Sequence, residues 1–181
     1  MVTLTKIIQF ISHPQMYIEE IRNQALLKDL LQFIIVALTG SMVFFFVYVI
    51  QKGFPGHEIP DAWGFLILMG MVVFTFVYSA LFFLLVISLA EHFFVLFISD
   101  KPDFEKTMKS VIYASMVPIL FIWIPAIFHI PVSALALTGV FIVFTFYGIL
   151  IFHNSTKDRA AFVAIFLMGV IISGLCLGRV I

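Results

Sequence analysis

Long apolar stretches separated by short polar ones make up most of this chain. Residues 30–50 carry no charged side chain and, as a helix, are long enough to cross a hydrocarbon core of about 30 Å. Further apolar stretches lie at residues 64–89, 110–128, 132–152 and 160–178. The pattern predicts an all-α, polytopic membrane protein: a bundle of five transmembrane helices that forms a single domain over residues 1–181.

The second apolar stretch is too long to lie entirely within the bilayer. As one helix, residues 63–98 would measure about 54 Å. Glu91 and His92 divide this stretch, so we expect the membrane-embedded part to end near residue 89 and Glu91 to emerge at the interface. Residues 93–98 then form either a helical extension packed beneath the bundle or a short re-entrant segment.

A short helix is expected ahead of the first span. Ser12 and Gln15 have the spacing of a capping box, and Pro14 is tolerated in a first helical turn. The helix is amphipathic, which favours a position on the membrane surface, with packing against the bundle as the alternative. Its apolar side contains Met16, Tyr17, Ile18, Ile21, Ala25 and Leu26.

A dense group of charged residues separates the second and third spans. Asp103 is placed to cap the helix that follows, and residues 99–109 form a candidate contact surface. The charged members of this candidate contact loop are Asp100, Lys101, Asp103, Glu105, Lys106 and Lys109.

Two prolines interrupt the third span. Pro118 and Pro125 each remove a backbone donor, so a kink is expected at Pro118 and a second kink or the helix end at Pro125. The connection at residues 129–131 is very short, which predicts an antiparallel hairpin of the third and fourth spans.

The distribution of basic residues predicts the orientation in the membrane. With the N-terminus in the cytoplasm, all lysines and arginines except Lys52 and Arg179 lie on the cytoplasmic side. The positive-inside rule favours this arrangement. The C-terminus is then on the opposite side.

Composition excludes several classes of function. The chain is 63% hydrophobic and 11% charged with zero net charge, so nothing suggests a nucleic-acid partner. The single cysteine, Cys176, excludes an intrachain disulfide. HExxH, CxxC, Walker and GxSxG motifs are absent from the sequence, so we expect no cofactor, no metal site and no enzymatic activity.

Glu91 and His92 are the polar residues closest to being intramembrane, where ionisable side chains are functional-site hypotheses. A carboxylate beside an imidazole could relay protons or bind a cation. Adjacent helical residues point about 100° apart, however, so the two would need a further helix to converge. Interfacial snorkelling is the alternative explanation, and an interfacial position also accounts for His57, His129 and His153.

Small residues in the last span form a GxxxG pattern at Gly174 and Gly178, with Gly169 and Ser173 at the same spacing. This pattern is typical of close helix contacts, either within the bundle or between subunits. We expect the contact to lie within the bundle.

Several short motifs resemble the Yip family of Ypt-interacting proteins (the "Yip-one" domain). They are Ser12-His13-Pro14, Ile21-Arg22-Asn23, Val111-Ile112-Tyr113-Ala114 with Val117-Pro118, and Tyr147-Gly148. They most resemble the bacterial inner-membrane branch typified by YohC. The resemblance makes Tyr113 a candidate functional residue. It implies Rab-GTPase binding and secretory-membrane organisation for eukaryotic members, and no settled activity for the short bacterial branch.

The leading hypothesis is a non-enzymatic Yip-family protein of the bacterial inner (cytoplasmic) membrane. It would act in membrane organisation or trafficking through protein or lipid contacts at its cytoplasmic face, with the bilayer, a second copy or another membrane protein as partner. The alternative is a small, oligomeric ion or solute transporter or channel, which Glu91, His92 and the two prolines would serve.

Overall fold

The computed structural model describes residues 13–54, 61–99, 101–128 and 130–177, which are helical apart from short connections. We number the helices in chain order. They are α1 (Pro14–Ile21), α2 (Leu26–Lys52), α3 (Ala62–Ile98), α4 (Phe104–Leu120), α5 (Ile124–Ile127), α6 (Ile130–Phe152) and α7 (Lys157–Leu177).

Three of these helices are long and apolar enough to cross a membrane: α2, α3 and the part of α6 from Pro131 to Phe152. Large apolar side chains cover their outer surfaces, as at Phe74, which is 73% exposed, and Phe97, which is 72% exposed. Soluble proteins rarely expose apolar patches of this extent to water, whereas in a membrane lipid tails cover them. The chain is therefore an integral membrane protein.

Helix α4 lies at the centre of the bundle and packs against α2, α3 and α6. Every residue from Lys109 to Val117 is buried. Its small residues Ser110, Ala114 and Ser115 let neighbouring helices approach closely.

Two glycines make the closest helix contacts that the structure describes. A methyl group on Gly40 of α2 would lie 2.5 Å from the backbone carbonyl oxygen of Ile119 in α4, and one on Gly148 of α6 would collide with the Ser110 side chain. Gly169 and Gly174 have no neighbouring atoms in the space that a side chain would occupy. The intrachain contact predicted for the last span is therefore wrong at these two positions, while Gly178 lies outside the described residues.

Helix α1 packs on the bundle, mainly against α6. Tyr17, Ile18 and Ile21 are buried, so protein rather than lipid covers this apolar face. The expected position on the membrane surface is thus corrected to the packed alternative.

The start of α1 also differs from the prediction. His13 occupies the N-cap position without a side-chain cap, and Gln15 donates to the Glu19 carboxylate at 3.2 Å instead of closing a capping box. Pro14 lies in the first turn, as expected, and Ser12 lies outside the described residues.

Helix α3 is continuous to Ile98, so residues 93–98 are helical. The Asp61 carboxylate caps its first turn by accepting from the Gly64 amide at 2.7 Å. Glu91 lies within this helix and is fully buried. Its expected emergence at the interface is wrong because α4 packs against this part of α3.

The predicted third span is divided in two. Asp103 caps α4, as expected, by accepting from the Glu105 amide at 3.0 Å. The helix ends at Leu120, two residues after Pro118, and Pro125 lies in the first turn of α5. The prolines therefore flank a break between two helices, where a kink at Pro118 and a second kink or the helix end at Pro125 were expected.

The close contact at Gly40 predicts a position-specific loss of stability. Alanine at Gly40 and at the uncrowded Gly70 gains the same helix propensity, but only Gly40→Ala must push against a backbone carbonyl. We expect Gly40→Ala to be less stable than Gly70→Ala by about 1–3 kcal/mol. Unfolding by sodium dodecyl sulfate in mild detergent, followed by circular dichroism, measures the difference. Equal stability of the two variants would contradict this packing.

Candidate functional site

Buried polar contacts gather at one end of the bundle, which we call the polar end. It comprises α1, the first turn of α2, the last turns of α3, the first turns of α4 and the α6–α7 connection. The hydrogen bonds that join these segments include Lys109 to the Gln24 carbonyl at 2.7 Å, Arg22 to the Asn154 side chain at 2.9 Å, and Arg159 to the Ile98 carbonyl at 2.8 Å.

A hydrogen bond between Tyr113 and Asp29 lies at the centre of the polar end. Both residues are fully buried, and the Tyr113 hydroxyl donates to the Asp29 carboxylate at 2.6 Å. The Gln24 side-chain amide donates to the same oxygen, also at 2.6 Å. Asp29 lies in the first turn of α2, where the helix dipole favours a negative charge. The carboxylate thus joins α4 to the α1–α2 turn and to α2.

Lys109 extends this network to the edge of the bundle. Its ammonium group donates to the Gln24 carbonyl and pairs with the Glu105 carboxylate at 3.0 Å, and its side chain is only 9% exposed. Lys109 therefore holds the α1–α2 turn against α4. Its place in the candidate contact loop stays a prediction, but its side chain is largely enclosed.

Aromatic rings enclose the Tyr113 side chain. Tyr17 of α1 meets it edge-on with ring centroids 6.3 Å apart, and Phe152 of α6 stacks on it at 6.2 Å. Burial, together with the nearby Glu20 and Asp29 carboxylates, raises the pKa of the Tyr17 hydroxyl above its usual value. Tyr17 therefore stays neutral at physiological pH.

Thr107 links two histidines in a second polar group. Its hydroxyl lies 3.1 Å from Nδ1 of His92 and 3.2 Å from Nε2 of His153. The hydroxyl also donates to the Asp103 carbonyl at 3.2 Å, which leaves its lone pairs to accept from the two imidazoles. The His92 ring packs edge-on against Phe104. These contacts join α3, α4 and the α6–α7 connection.

His153 is electrostatically unusual. Burial, reinforced by the positive charge of Lys106, lowers the pKa of its imidazole to about 4. The residue is therefore neutral at physiological pH.

Glu91 and His92 do not converge on one ligand. His92 turns to Thr107, whereas the nearest polar neighbour of the Glu91 carboxyl is Ser110 of α4. Their divergence follows from the angle between adjacent helical residues. Among the described residues, no group of three or more His, Cys, Asp or Glu side chains is placed to hold a metal ion.

Two cavities flank the buried network. A polar cleft of about 360 Å³ opens at the polar end; its lining includes Arg22, Asn23, Asp103, Glu105, Lys106 and Lys109. An apolar cavity of about 430 Å³, which we call the central cavity, lies farther along α4. Ser115, Pro118, Pro125 and Thr138 line it together with apolar side chains, Phe44 and Phe83 among them.

Comparison with known proteins identifies the family. The Yip1 domain matches residues 8–178, nearly the whole chain. The chain belongs to the Yip1 family. This confirms the resemblance at the family level. Searches of curated proteins and of solved structures find no match.

Sequence reasoning identified Tyr113 but missed its partners Asp29 and Gln24. Asp29 directly precedes the uncharged run that defines the first span, so it was assigned to the preceding polar segment. A signal was present, since α2 begins at Leu26 and a carboxylate in a first helical turn is favourable. Lys101, Glu105 and Lys106 are exposed, and Asp100, His57 and His129 lie outside the described residues.

The Tyr113–Asp29 hydrogen bond predicts a measurable loss of stability. Tyr113→Phe removes the donor and leaves a buried carboxylate less satisfied, so we expect a loss of about 1–3 kcal/mol in the free energy of unfolding. Tyr78→Phe, at a residue that is 65% exposed, is the matched control. Detergent unfolding of the two variants, with Asp29→Asn completing a double-mutant cycle, tests the pairing. Independent effects of Tyr113→Phe and Asp29→Asn would contradict it.

Neutral His153 predicts that acid destabilises the fold. Because its pKa falls from the ordinary 6.5 to about 4, the unfolded chain binds the proton first, and stability is lost as pH falls through this window. The loss should reach about 1 kcal/mol or more. Unfolding measured between these pH values should show a weaker pH dependence in His153→Gln than in the exposed control His13→Gln. Identical pH dependence in the two variants would count against a neutral, buried His153.

Proposed function

We propose that this Yip1-family protein acts without catalysis, by holding a protein partner at the polar cleft on its cytoplasmic face. In this proposal it spans the inner membrane of a bacterium five times, with a cytoplasmic N-terminus, and serves membrane organisation. The short motifs that resemble the YohC-type branch support the location, and the excess of lysine and arginine at the polar end supports the orientation.

The five-span arrangement rests on the helices beside the three long apolar ones. α7 has 21 residues, and α4 has 17 before the break that leads into α5. Both are apolar and pack within the same bundle, α7 mainly against α6. At about 1.5 Å per residue, α7 alone is long enough to cross the hydrocarbon core.

The observation that carries the proposal is the composition of the cleft. Its wall contains basic side chains at Arg22 and Lys106 and acidic ones at Asp103 and Glu105. A surface of both signs complements a protein segment that carries both signs better than it complements an anionic headgroup. This favours a protein over lipid as the occupant.

The hydrogen bonds beneath the cleft favour a preformed binding surface. Lys109 and Arg22 fix the α1–α2 turn to α4 and to the α6–α7 connection. The exposed side chains above them therefore project from a backbone that is tied on several sides. Binding to such a surface loses little conformational entropy.

Site-specific crosslinking in native membranes tests the proposal. A photoreactive residue at Lys106 should capture a discrete protein, whereas one at exposed Lys157 should not. Asp103→Ser combined with Lys106→Ser removes the exposed pair, whose charged atoms are 3.8 Å apart, and keeps the Glu105–Lys109 pair. We expect capture through a photoreactive residue at Asn23, on the opposite wall of the cleft, to fall by about tenfold in this variant.

The matched control replaces Lys157 and Asp158 with serine, which removes two exposed charges outside the cleft. It should leave capture unchanged. Equal loss in both variants would indicate a general charge effect and refute a role for the cleft. Capture of lipid alone would assign the cleft to a headgroup and overturn the choice of a protein partner.

A further inference from the structure

The Glu91 carboxyl is the most isolated ionisable group among the described residues. The side chain is fully buried, and neither carboxyl oxygen has a hydrogen-bond partner there. Ser110 lies beside it, but its hydroxyl is also without a partner of good geometry. Buried polar groups are normally satisfied, so an unsatisfied carboxyl points to an occupant that is not part of the chain.

The described residues show no ion pair to Glu91, and Ser110 is the polar side chain beside its carboxyl. Several titratable groups of the packed helices and connections are engaged elsewhere: His92 and His153 with Thr107, Lys109 with Gln24 and Glu105, Asp29 with Tyr113, and Arg159 with Ile98. A buried carboxylate without a counter-charge is strongly disfavoured, so a proton or a bound cation neutralises it.

Further buried hydroxyls lie on the helices that pack around Glu91. Ser88 is one helical turn before Glu91 on α3, is fully buried and has no partner among the described residues. Gly148 of α6 packs directly on Ser110, which brings α6 against the same site. Thr145, one turn before Gly148, is likewise buried and unpartnered within the described chain.

We propose that Glu91, Ser110 and Ser88 bind an alkali ion such as Na⁺ inside the bundle, in exchange for the proton of the Glu91 carboxyl. One carboxylate balances a single positive charge, whereas divalent Ca²⁺ takes more oxygen ligands and usually more than one carboxylate. The set contains no nitrogen or sulfur ligand because His92 faces Thr107, which disfavours transition metals.

Infrared difference spectroscopy of the full-length protein in lipid vesicles tests the proposal. The carbonyl stretch of a protonated carboxyl, assigned by its absence in Glu91→Gln, reports the occupant of the site. Asp29→Asn is the matched control at another buried carboxyl. We expect the Glu91 band to disappear at constant pH when Na⁺ replaces choline at equal ionic strength.

Loss of the band with Na⁺ at constant pH supports an alkali ion that displaces the proton. In that case Ser110→Ala should move the Na⁺ midpoint by about tenfold in concentration, because an oxygen ligand is lost. A Glu91 band that never appears, or that responds to pH but not to Na⁺, overturns the proposal, because any carboxyl titrates with pH. Glu91 does not line the cleft, so this spectroscopic result does not depend on partner capture there.

Discussion

The hydrogen bond from Tyr113 to Asp29 is the contact on which the polar end depends. It lies between α4 and α2, and each of the two residues also contacts other parts of the bundle. Asp29 also accepts from Gln24, while Tyr113 packs against Tyr17 of α1 and Phe152 of α6. A buried carboxylate is stable only when such donors surround it, so the helices that supply them are fixed relative to one another.

Close packing around α4 complements this polar contact. Gly148 lets α6 approach Ser110 near the polar end, and Gly40 lets α2 approach the last turn of α4. In lipid the hydrophobic effect does not drive helices together, so close backbone packing and hydrogen bonds between helices supply most of the free energy of association. Beyond these contacts the break between Leu120 and Ile124 separates α4 from α5, and the central cavity lies beside it.

The polar cleft and the buried Glu91 lie in different parts of the same bundle. The cleft presents exposed charges of both signs on a backbone tied by Lys109 and Arg22. Glu91 lies inside the bundle, beside Ser110, and no charged side chain of the described residues pairs with it. Helix α4 contributes to both places, with Lys106 and Lys109 in the cleft and Ser110 beside Glu91.

The sequence alone determined that this is an all-helical, membrane-embedded protein of the Yip1 family. Long uncharged runs and helix caps such as Asp103 are local signals, and length and composition are enough to interpret them. Tertiary structure decided which polar residues matter. It paired Asp29 with Tyr113, enclosed Lys109, turned His92 toward Thr107 and buried Glu91. These outcomes depend on which helix faces which, and hydrophobicity that is nearly uniform around a membrane helix does not specify its facing side.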